Sequence, residues 1–404
     1  MNVPFVGLLG VTGGLAALGL WEARRHEAAL AAISLRVHVN GTRGKTSTTR
    51  TIAALLRSLG MRVAAKCTGT LPIYIGPDGV ERPWPRRGRA RVQEQVRFLQ
   101  AAARAGAEAA VVECMAVDPA LQWICEHRLI RAHIGVITNV RPDHLEDMGR
   151  SLEEIARSLA NTIPRAGWLV TADERFAPLF AELAAPLGTR VVVARPDRNG
   201  DPSAEHRAIA VEVAACAGFP REEAQRAAAR LPRLRPQMTP LPPPAEAAVW
   251  LHLWSNNDPD SFRAVTSGPE TPAGLRVPLL NHRRDRPLRT RLFADLLAEW
   301  DPLPRVLVTG EPGAERDLVR AGVPLDRIRR LPFPPRAEDV SRAIADLPGP
   351  VVVVGCGNAR GMEDFEPVMV ASEAPLGDFS AAAAEGSGPG RGGTVDPPGR
   401  GAPS

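Results

Sequence analysis

A chain of 404 residues is long enough for two globular domains, each with a core of its own. A formal charge of +5, from 50 Lys and Arg against 45 Asp and Glu, is modest over this length; it permits a polyanionic ligand or an anionic membrane surface and requires neither. The five cysteines form no CxxC pair and the eight histidines no zinc spacing, which excludes a disulfide framework and a zinc module and fits a reducing cytoplasm.

At the start of the chain, Val3 to Trp21 is uncharged and about one bilayer long at the helical rise. Arg24, Arg25 and His26 follow at once, and the positive-inside rule then puts everything downstream in the cytoplasm. Positive charge on this side of the apolar run is the reverse of a cleaved signal peptide. Residues 1–22 are therefore expected to form one transmembrane helix, a single-pass anchor in the cell membrane. Gly10 and Gly14 offer a small-xxx-small pair to another membrane helix. Residues 23–36 read as a linker.

Next comes a short β-branched run, Val37-His38-Val39, which feeds Asn40-Gly41-Thr42-Arg43-Gly44-Lys45-Thr46-Ser47 and then a helical segment, Ile52 to Leu59. Strand, glycine-rich loop and helix in this order cradle phosphate on backbone N–H groups and a helix N-terminus. Gly41, Thr42, Arg43, Gly44, Lys45, Thr46 and Ser47 are the candidate phosphate-binding residues, with Lys45 as point charge and Thr46 offering a hydroxyl to magnesium. Val39 stands where the full P-loop consensus has its first glycine, so the match is partial.

Within Lys66-Cys67-Thr68-Gly69-Thr70, Thr68-Gly69-Thr70 follows a strand-like run and reads either as a phosphate or substrate contact or as a simple turn. Arg82, Arg86, Arg87, Arg89 and Arg91 read as a solvated face or as the mouth of a site for an acidic substrate. Gln93 to Ala105 has helical periodicity. Ala109-Ala110-Val111-Val112-Glu113 is a buried-type strand ending in a carboxylate. Ligands collect at the carboxyl ends of strands in an open parallel sheet, so Glu113 belongs beside the phosphate loop as a metal ligand. The strand Ile134 to Val140 runs into Arg141-Pro142-Asp143-His144, which adds an imidazole to the same edge. Lys45, Glu113 and His144 are the candidate catalytic residues; Thr46, Glu113 and His144 are the candidate metal ligands.

Further on, Ser151–Thr162 reads as a helix, Gly167–Thr171 and Arg190–Ala194 as strands, and His206–Gly218 and Arg221–Leu231 as helices. Six prolines between Leu231 and Pro244 mark a linker. The second half alternates again, with strands at Ala248–Trp254, Arg305–Thr309 and Pro350–Gly355 and helices at Thr290–Trp300, Ala314–Ala321 and Ala337–Ala345. The expected division is a central domain over 37–230, a proline-rich linker over 231–247, a C-terminal domain over 248–372 and a disordered tail over 373–404.

Gly41-Thr42-x-Gly44-Lys45-Thr46, the strand-end Glu113 and Thr138-Asn139-x-x-x-Asp143-His144-Leu145 at these distances resemble the Mur ligase superfamily of ATP-dependent amide ligases. Within it the chain is most similar, over about residues 34–372, to the ligase subunits of poly-γ-glutamate synthases. The resemblance implies an α/β fold, with a P-loop-type doubly wound central domain and a smaller Rossmann-like C-terminal domain. It implies ATP and Mg2+, with Lys45 and the loop amides on the ATP phosphates, Thr46 and Glu113 on a first magnesium and His144 on a second. It also implies the reaction: a carboxylate takes the γ-phosphate to give an acyl phosphate, which an amine then attacks.

In the second half, Asn256-Asn257-Asp258-Pro259-x-Ser261 and Asn281-x-Arg283-x-Asp285-Arg286 resemble segments of the same subfamily, which makes Asn257, Asp258, Arg283 and Arg286 nucleotide-binding candidates. The chain departs from the pattern at Leu159, where many Mur ligases have a carbamylated lysine, and at His206, where a linker asparagine often meets adenine. The implied function is polymerisation of glutamate through its γ-carboxyl into a capsule or secreted polymer. The implied partners are glutamate, the growing chain, the membrane and companion membrane subunits; nucleic acid is not among them, and a homo-oligomer stays open. Alternatives are a ligase like folylpolyglutamate synthase or another Mur-type amino-acid ligase, and a P-loop ATPase that energises polymer export without ligation.

Overall fold

A computed structural model describes residues 3–68, 72–86, 90–196, 204–231, 233–235, 238–245, 247–254, 259–268, 271–358, 360–362 and 368–370. Of residues 3–10, 233–235, 260–261, 264 and 368–370 the backbone alone is described. Gly69, Thr70, Asn257, Asp258 and the expected tail over 373–404 lie outside the described residues. The chain divides into two compact units, chiefly Met1–Pro236 with Asp260–Pro269 and Ala359–Ser372, and Gln237–Pro259 with Glu270–Asn358.

The first unit runs α1 (Val3–Ala32), β1 (Leu35–Asn40), α2 (Lys45–Ser58), β2 (Val63–Cys67), β3 (Ile73–Ile75), β4 (Glu81–Pro83), α3 (Glu94–Arg104) and β5 (Ala109–Glu113). It continues with α4 (Pro119–Ile124), a π-helical turn (Cys125–Ile130), β6 (Ile134–Ile137), α5 (Leu145–Met148), α6 (Leu152–Leu159), β7 (Trp168–Thr171), α7 (Ala177–Ala184), β8 (Arg190–Val193), α8 (Ala204–Cys216) and α9 (Arg221–Ala229). The strands form an eight-stranded sheet in the order β4-β3-β2-β5-β1-β6-β7-β8.

Alternation along the strands sends side chains to two covered faces, which is why the strands read as near-continuous apolar runs. Val37, Val39, Val111 and Val136 pack with Ile52, Leu55 and Leu56 of α2 and Ile209 and Val213 of α8. Ala64, Ala110 and Val112 face the other way, onto Phe98 and Leu99 of α3 and Leu30 and Ile33 at the end of α1. β1 sends its chain through α2 to β2 on one side, while β6 sends its chain to β7 on the other. The connections diverge at the carboxyl ends of β1 and β6, and a divergence of this kind opens a crevice for a ligand.

α1 is one helix up to Ala32, through most of the stretch expected to be a linker over 23–36. Its end is clamped to the sheet by Arg36, whose guanidinium donates to the carbonyls of Leu30 (2.7 Å), Ile33 (2.9 Å) and Ile130 (3.0 Å), satisfying oxygens a helix terminus leaves free. Farther out, Val11, Leu15, Leu18, Leu20 and Trp21 are 52% to 65% exposed. Among the described residues no helix is long and apolar enough to cross a membrane. The transmembrane helix expected over 1–22 is therefore not part of the described fold.

β9 (Arg233–Arg235) and β10 (Met238–Pro240) occupy the proline-rich stretch expected as a linker. The second unit adds β11 (Ala248–His252), β12 (Leu275–His282), α11 (Pro287–Ala298), β13 (Val306–Gly310), α12 (Ala314–Ala321), β14 (Ile328–Arg330), α13 (Ala337–Ile344) and β15 (Val351–Gly357). A helix between β11 and β12, Pro259–Thr266, falls mostly in the first unit, and β16 (Val368–Val370) pairs antiparallel with β9. The second sheet is six-stranded in the order β10-β11-β15-β12-β13-β14, parallel except for β10.

Candidate active site

The phosphate loop joins β1 to α2, and its backbone explains its glycines. Gly41 has φ +130°, and a Cβ there would stand 2.0 Å from Thr138 Oγ1; Gly44 has φ +75°, and a Cβ there would stand 2.6 Å from His206 Cε1. α2 begins at Lys45 with no acidic residue in its first turn, so its N–H groups and positive dipole end are available to an anion. The Lys45 ammonium folds back over the loop and donates to the carbonyls of Gly41 (2.7 Å) and Thr42 (3.3 Å).

The end of β6 braces this loop. Asn139 Oδ1 accepts from Thr42 Oγ1 (2.9 Å) and the Arg43 N–H (3.1 Å), while Thr138 Oγ1 donates to the Arg43 carbonyl (2.6 Å). Asn139 Nδ2 in turn donates to Glu205 Oε1 (2.8 Å), and His206 Nδ1 lies 2.9 Å from Thr48 Oγ1. Burial lowers the His206 pKa, which favours a neutral imidazole. The sequence places Thr138 and Asn139 in a motif but gives neither a role, and nothing local in it ties Glu205 to the loop.

Glu113 is 3% exposed at the end of β5, in register with Val39 of β1. Its carboxylate accepts from Thr46 Oγ1 (3.0 and 3.1 Å) and from the Thr68 N–H (2.7 Å). Burial pushes its pKa up, against the pull of Lys45 and of these donors. Two hard oxygen donors 3.0 to 3.1 Å apart suit magnesium, because neighbouring ligands of an octahedron with bonds of ~2.1 Å stand about 3.0 Å apart. The expected pairing of Thr46 with Glu113 is thus present in the geometry.

His144 lies beyond β6 with a left-handed backbone, φ +45°. Its loop is tied to the phosphate loop twice: Arg43 pairs with Asp143 at 2.7 Å, and the Arg141 N–H donates to Thr42 Oγ1 at 2.9 Å. A third brace comes from β7, where Asp173 accepts from the Val140 N–H (3.0 Å) and Arg175 donates to the Val140 carbonyl (3.0 Å) and to Asp173. The His144 ring nitrogens stand 3.9 Å from Asp143 and from Asp147. Among the described residues no group of three or more His, Cys, Asp or Glu is placed to hold a metal, so Glu113 and His144 do not form a ready-made cage. Leu159 is buried with Ile137, Val140 and Ile155, an apolar setting.

In the second unit Arg283 donates to Asp285 (2.9 and 2.6 Å), and the Arg286 N–H donates to the Arg283 carbonyl (3.2 Å). At the carboxyl ends of β12 and β15, Asn281 and Asn358 exchange side-chain-to-carbonyl hydrogen bonds of 2.6 and 2.8 Å, and Arg289 donates to Asn358 Oδ1 (2.9 Å). The sequence places Asn281 in a motif without a role, and nothing local in it pairs Asn281 with Asn358.

Comparison with known proteins follows the same division. Residues 39–199 match the Mur ligase middle domain, and residues 239–367 match the C-terminal domain of poly-gamma-glutamate synthase CapB. The capsule biosynthesis protein CapB of Bacillus anthracis is 31% identical over 388 residues, covering 89% of this chain and 81% of that protein. The PGA synthase CapB of Bacillus subtilis strain 168 is 29% identical, covering 85% of this chain and 92% of its own. In fold the chain is similar to Mycobacterium tuberculosis folylpolyglutamate synthase complexed with ADP and AMPPCP, with a TM-score of 0.63 at 16% identity over 86% of this chain and 96% of that one. Relationship over this share of both sequences, spanning both domains, places the chain in the CapB family of Mur-type, ATP-dependent, amide-forming ligases.

Proposed function

We propose that this chain polymerises glutamate through γ-carboxyl linkages, using ATP and Mg2+, and that the Thr46–Glu113 pair at the lip of the phosphate loop is the centre of that activity. The observation that carries the reading is the contact between a helix-opening hydroxyl and a buried strand-end carboxylate, in a chain of the CapB family. The ligase domains are assigned to 37–230 and 248–372, joined by 231–247.

Thr46 and Glu113 would hold one magnesium and His144 a second, and the metal would neutralise phosphate charge as it moves. The chain's own part is positioning. The loop N–H groups and the α2 N-terminus bind the phosphates, and Lys45 exchanges its carbonyl acceptors at Gly41 and Thr42 for phosphate oxygen. The brace of Thr138 and Asn139 keeps those donors aimed. The γ-phosphate passes from ATP to a glutamate γ-carboxylate, leaving ADP and the acyl phosphate; the amine of the next glutamate attacks the acyl carbon, forms the amide and expels inorganic phosphate. The nucleotide contacts assigned in the second unit are Asn257, Asp258, Arg283 and Arg286.

The test is release of ADP by the purified chain across a panel of amino acids. Glutamate is expected to stimulate release and to appear in a γ-linked product. Hydrolysis indifferent to every amino acid would instead leave a P-loop ATPase, and stimulation that requires a folate acceptor would favour the folylpolyglutamate-synthase-like alternative.

The same proposal locates the chain at the cell membrane, catalytic units in the cytoplasm, beside companion membrane subunits. It is supported by the uncharged run Val3–Trp21 ahead of Arg24 and Arg25, and by the exposed Val11, Leu15, Leu18, Leu20 and Trp21. On flotation with anionic vesicles the chain is expected to rise with the lipid, and the double variant Leu15→Glu, Leu18→Glu to stay below; two proteins that behave alike would remove the membrane from this assignment.

A further inference from the structure

A lysine is buried behind the metal-binding carboxylate. Lys66, on β2, is 0% exposed, and its strand is in register with β5 so that Lys66 lies beside Val112, the neighbour of Glu113. The Lys66 ammonium stands 3.2 Å from the Glu94 carboxylate and donates to Gln95 Oε1 at 3.3 Å. Glu94 is shared with Arg86, which donates to it at 2.9 and 3.2 Å. Gln95, also 0% exposed, donates from Nε2 to the backbone carbonyl of Glu113 at 3.0 Å.

This chain of contacts has a direction. A glutamine amide has an acceptor end and a donor end, and an ammonium group can only donate. With Lys66 against Oε1, the amide must turn its NH2 toward the Glu113 carbonyl. The last residue of β5 is thereby held from behind, while its carboxylate is held in front by Thr46 and Thr68. Burial lowers the Lys66 pKa, and Glu94 opposes that effect. Stability alone is a poor reason for such a residue, because well-packed apolar groups commonly replace a buried ion pair without loss.

We infer that Lys66, acting through Gln95, is a positioning residue that fixes the end of β5 so that Glu113 presents its carboxylate beside Thr46 for a divalent cation. Nothing reaches Lys66 from solvent, so its role is exerted through the Gln95 amide. The inference rests on the assignment of Glu113 as a metal ligand.

Mn2+ titrated into the protein with saturating ADP, followed by electron paramagnetic resonance, reads cation binding directly. Gln95→Glu keeps the size of the side chain and its contact with Lys66 but removes the donor to the Glu113 carbonyl. Lys66→Met removes the ammonium and leaves Glu94 paired with Arg86. Both variants are expected to weaken Mn2+ binding about tenfold, as loss of support for a metal ligand does, with kcat restored at saturating cation. Unchanged Mn2+ affinity in Gln95→Glu, whether or not Lys66→Met folds, overturns the inference while leaving the ligase assignment intact. Mn2+ binding in the parent chain that ignores Glu113→Ala overturns the ligand assignment beneath it.

Discussion

Glu113→Gln is expected to lower ligation roughly 10³-fold, with ADP still bound. The amide has the size of the carboxylate, but it carries no charge and turns an NH2 toward one of two donors, the Thr46 hydroxyl or the Thr68 N–H, which both now point at acceptors. Phosphate contacts through Lys45 and the loop do not involve Glu113, so affinity for the nucleotide without metal is expected to change little. The same residue sets an acid limit. Burial raises its pKa, so the proton stays on at a pH where an exposed glutamate has lost it, and a protonated Glu113 cannot hold a cation. Activity is therefore expected to fall on the acid side above the ordinary carboxylate range, and more Mg2+ should move the fall to lower pH by competing with the proton. An acid limb that ignores Mg2+ concentration would detach Glu113 from the metal.

Glu126→Ala is expected to cost about 3–5 kcal/mol of stability, the penalty for stranding one member of a buried pair. Glu126 is 1% exposed in the π-helical turn. Its carboxylate lies 2.8 Å from His38 Nδ1, in the middle of β1, and also accepts from the Ala132 N–H at 2.9 Å. The variant would leave His38 Nδ1 without its carboxylate partner inside the protein. Burial works against the charged ring, but Cys114 and Glu126 outweigh it and push the His38 pKa up to about 9. A histidine raised on folding adds stability below its ordinary pKa, and that contribution is lost as pH rises through the raised value. The difference between parent and variant in urea unfolding is therefore expected to be largest at and just below pH 6.5, to shrink as pH rises from there, and to be lost above about pH 9. A difference under about 1 kcal/mol at pH 7 would mean that the pair is not a structural tie.

The parts of the site that can be read from sequence are those that local backbone demands fix. Two glycines followed by Lys45 and Thr46 behind a strand leave few alternatives, and a carboxylate closing an apolar run goes where strand ends go. The Thr46–Glu113 contact follows once β1 and β5 are neighbours. Supports that come from far along the chain left no such trace. Glu205 meets Asn139, which braces the phosphate loop, and His206 meets Thr48 of α2, across 66 and 158 residues of sequence. Lys66, given no role in the sequence reading, is buried against Glu94. β12 was missed because Pro278 stands inside it, and proline argues against a central strand. α2 starts at Lys45, earlier than periodicity suggested, because its threonine-rich opening is a poor helix former held by the sheet beneath. The charges after Trp21 read as a linker, yet that stretch is rich in Ala, Glu and Arg, which favour a helix.

Only Ile33 and Ser34 separate α1 from β1, and Arg36 grips both sides of that joint. A hinge would require slack there, and a two-residue link spanned by guanidinium bonds to Leu30 and Ile33, with the same Arg36 also held at Ile130 and Arg131, gives none. The leading helix accordingly leaves the sheet in a fixed direction, and its exposed stretch turns as one piece with the strands it is tied to.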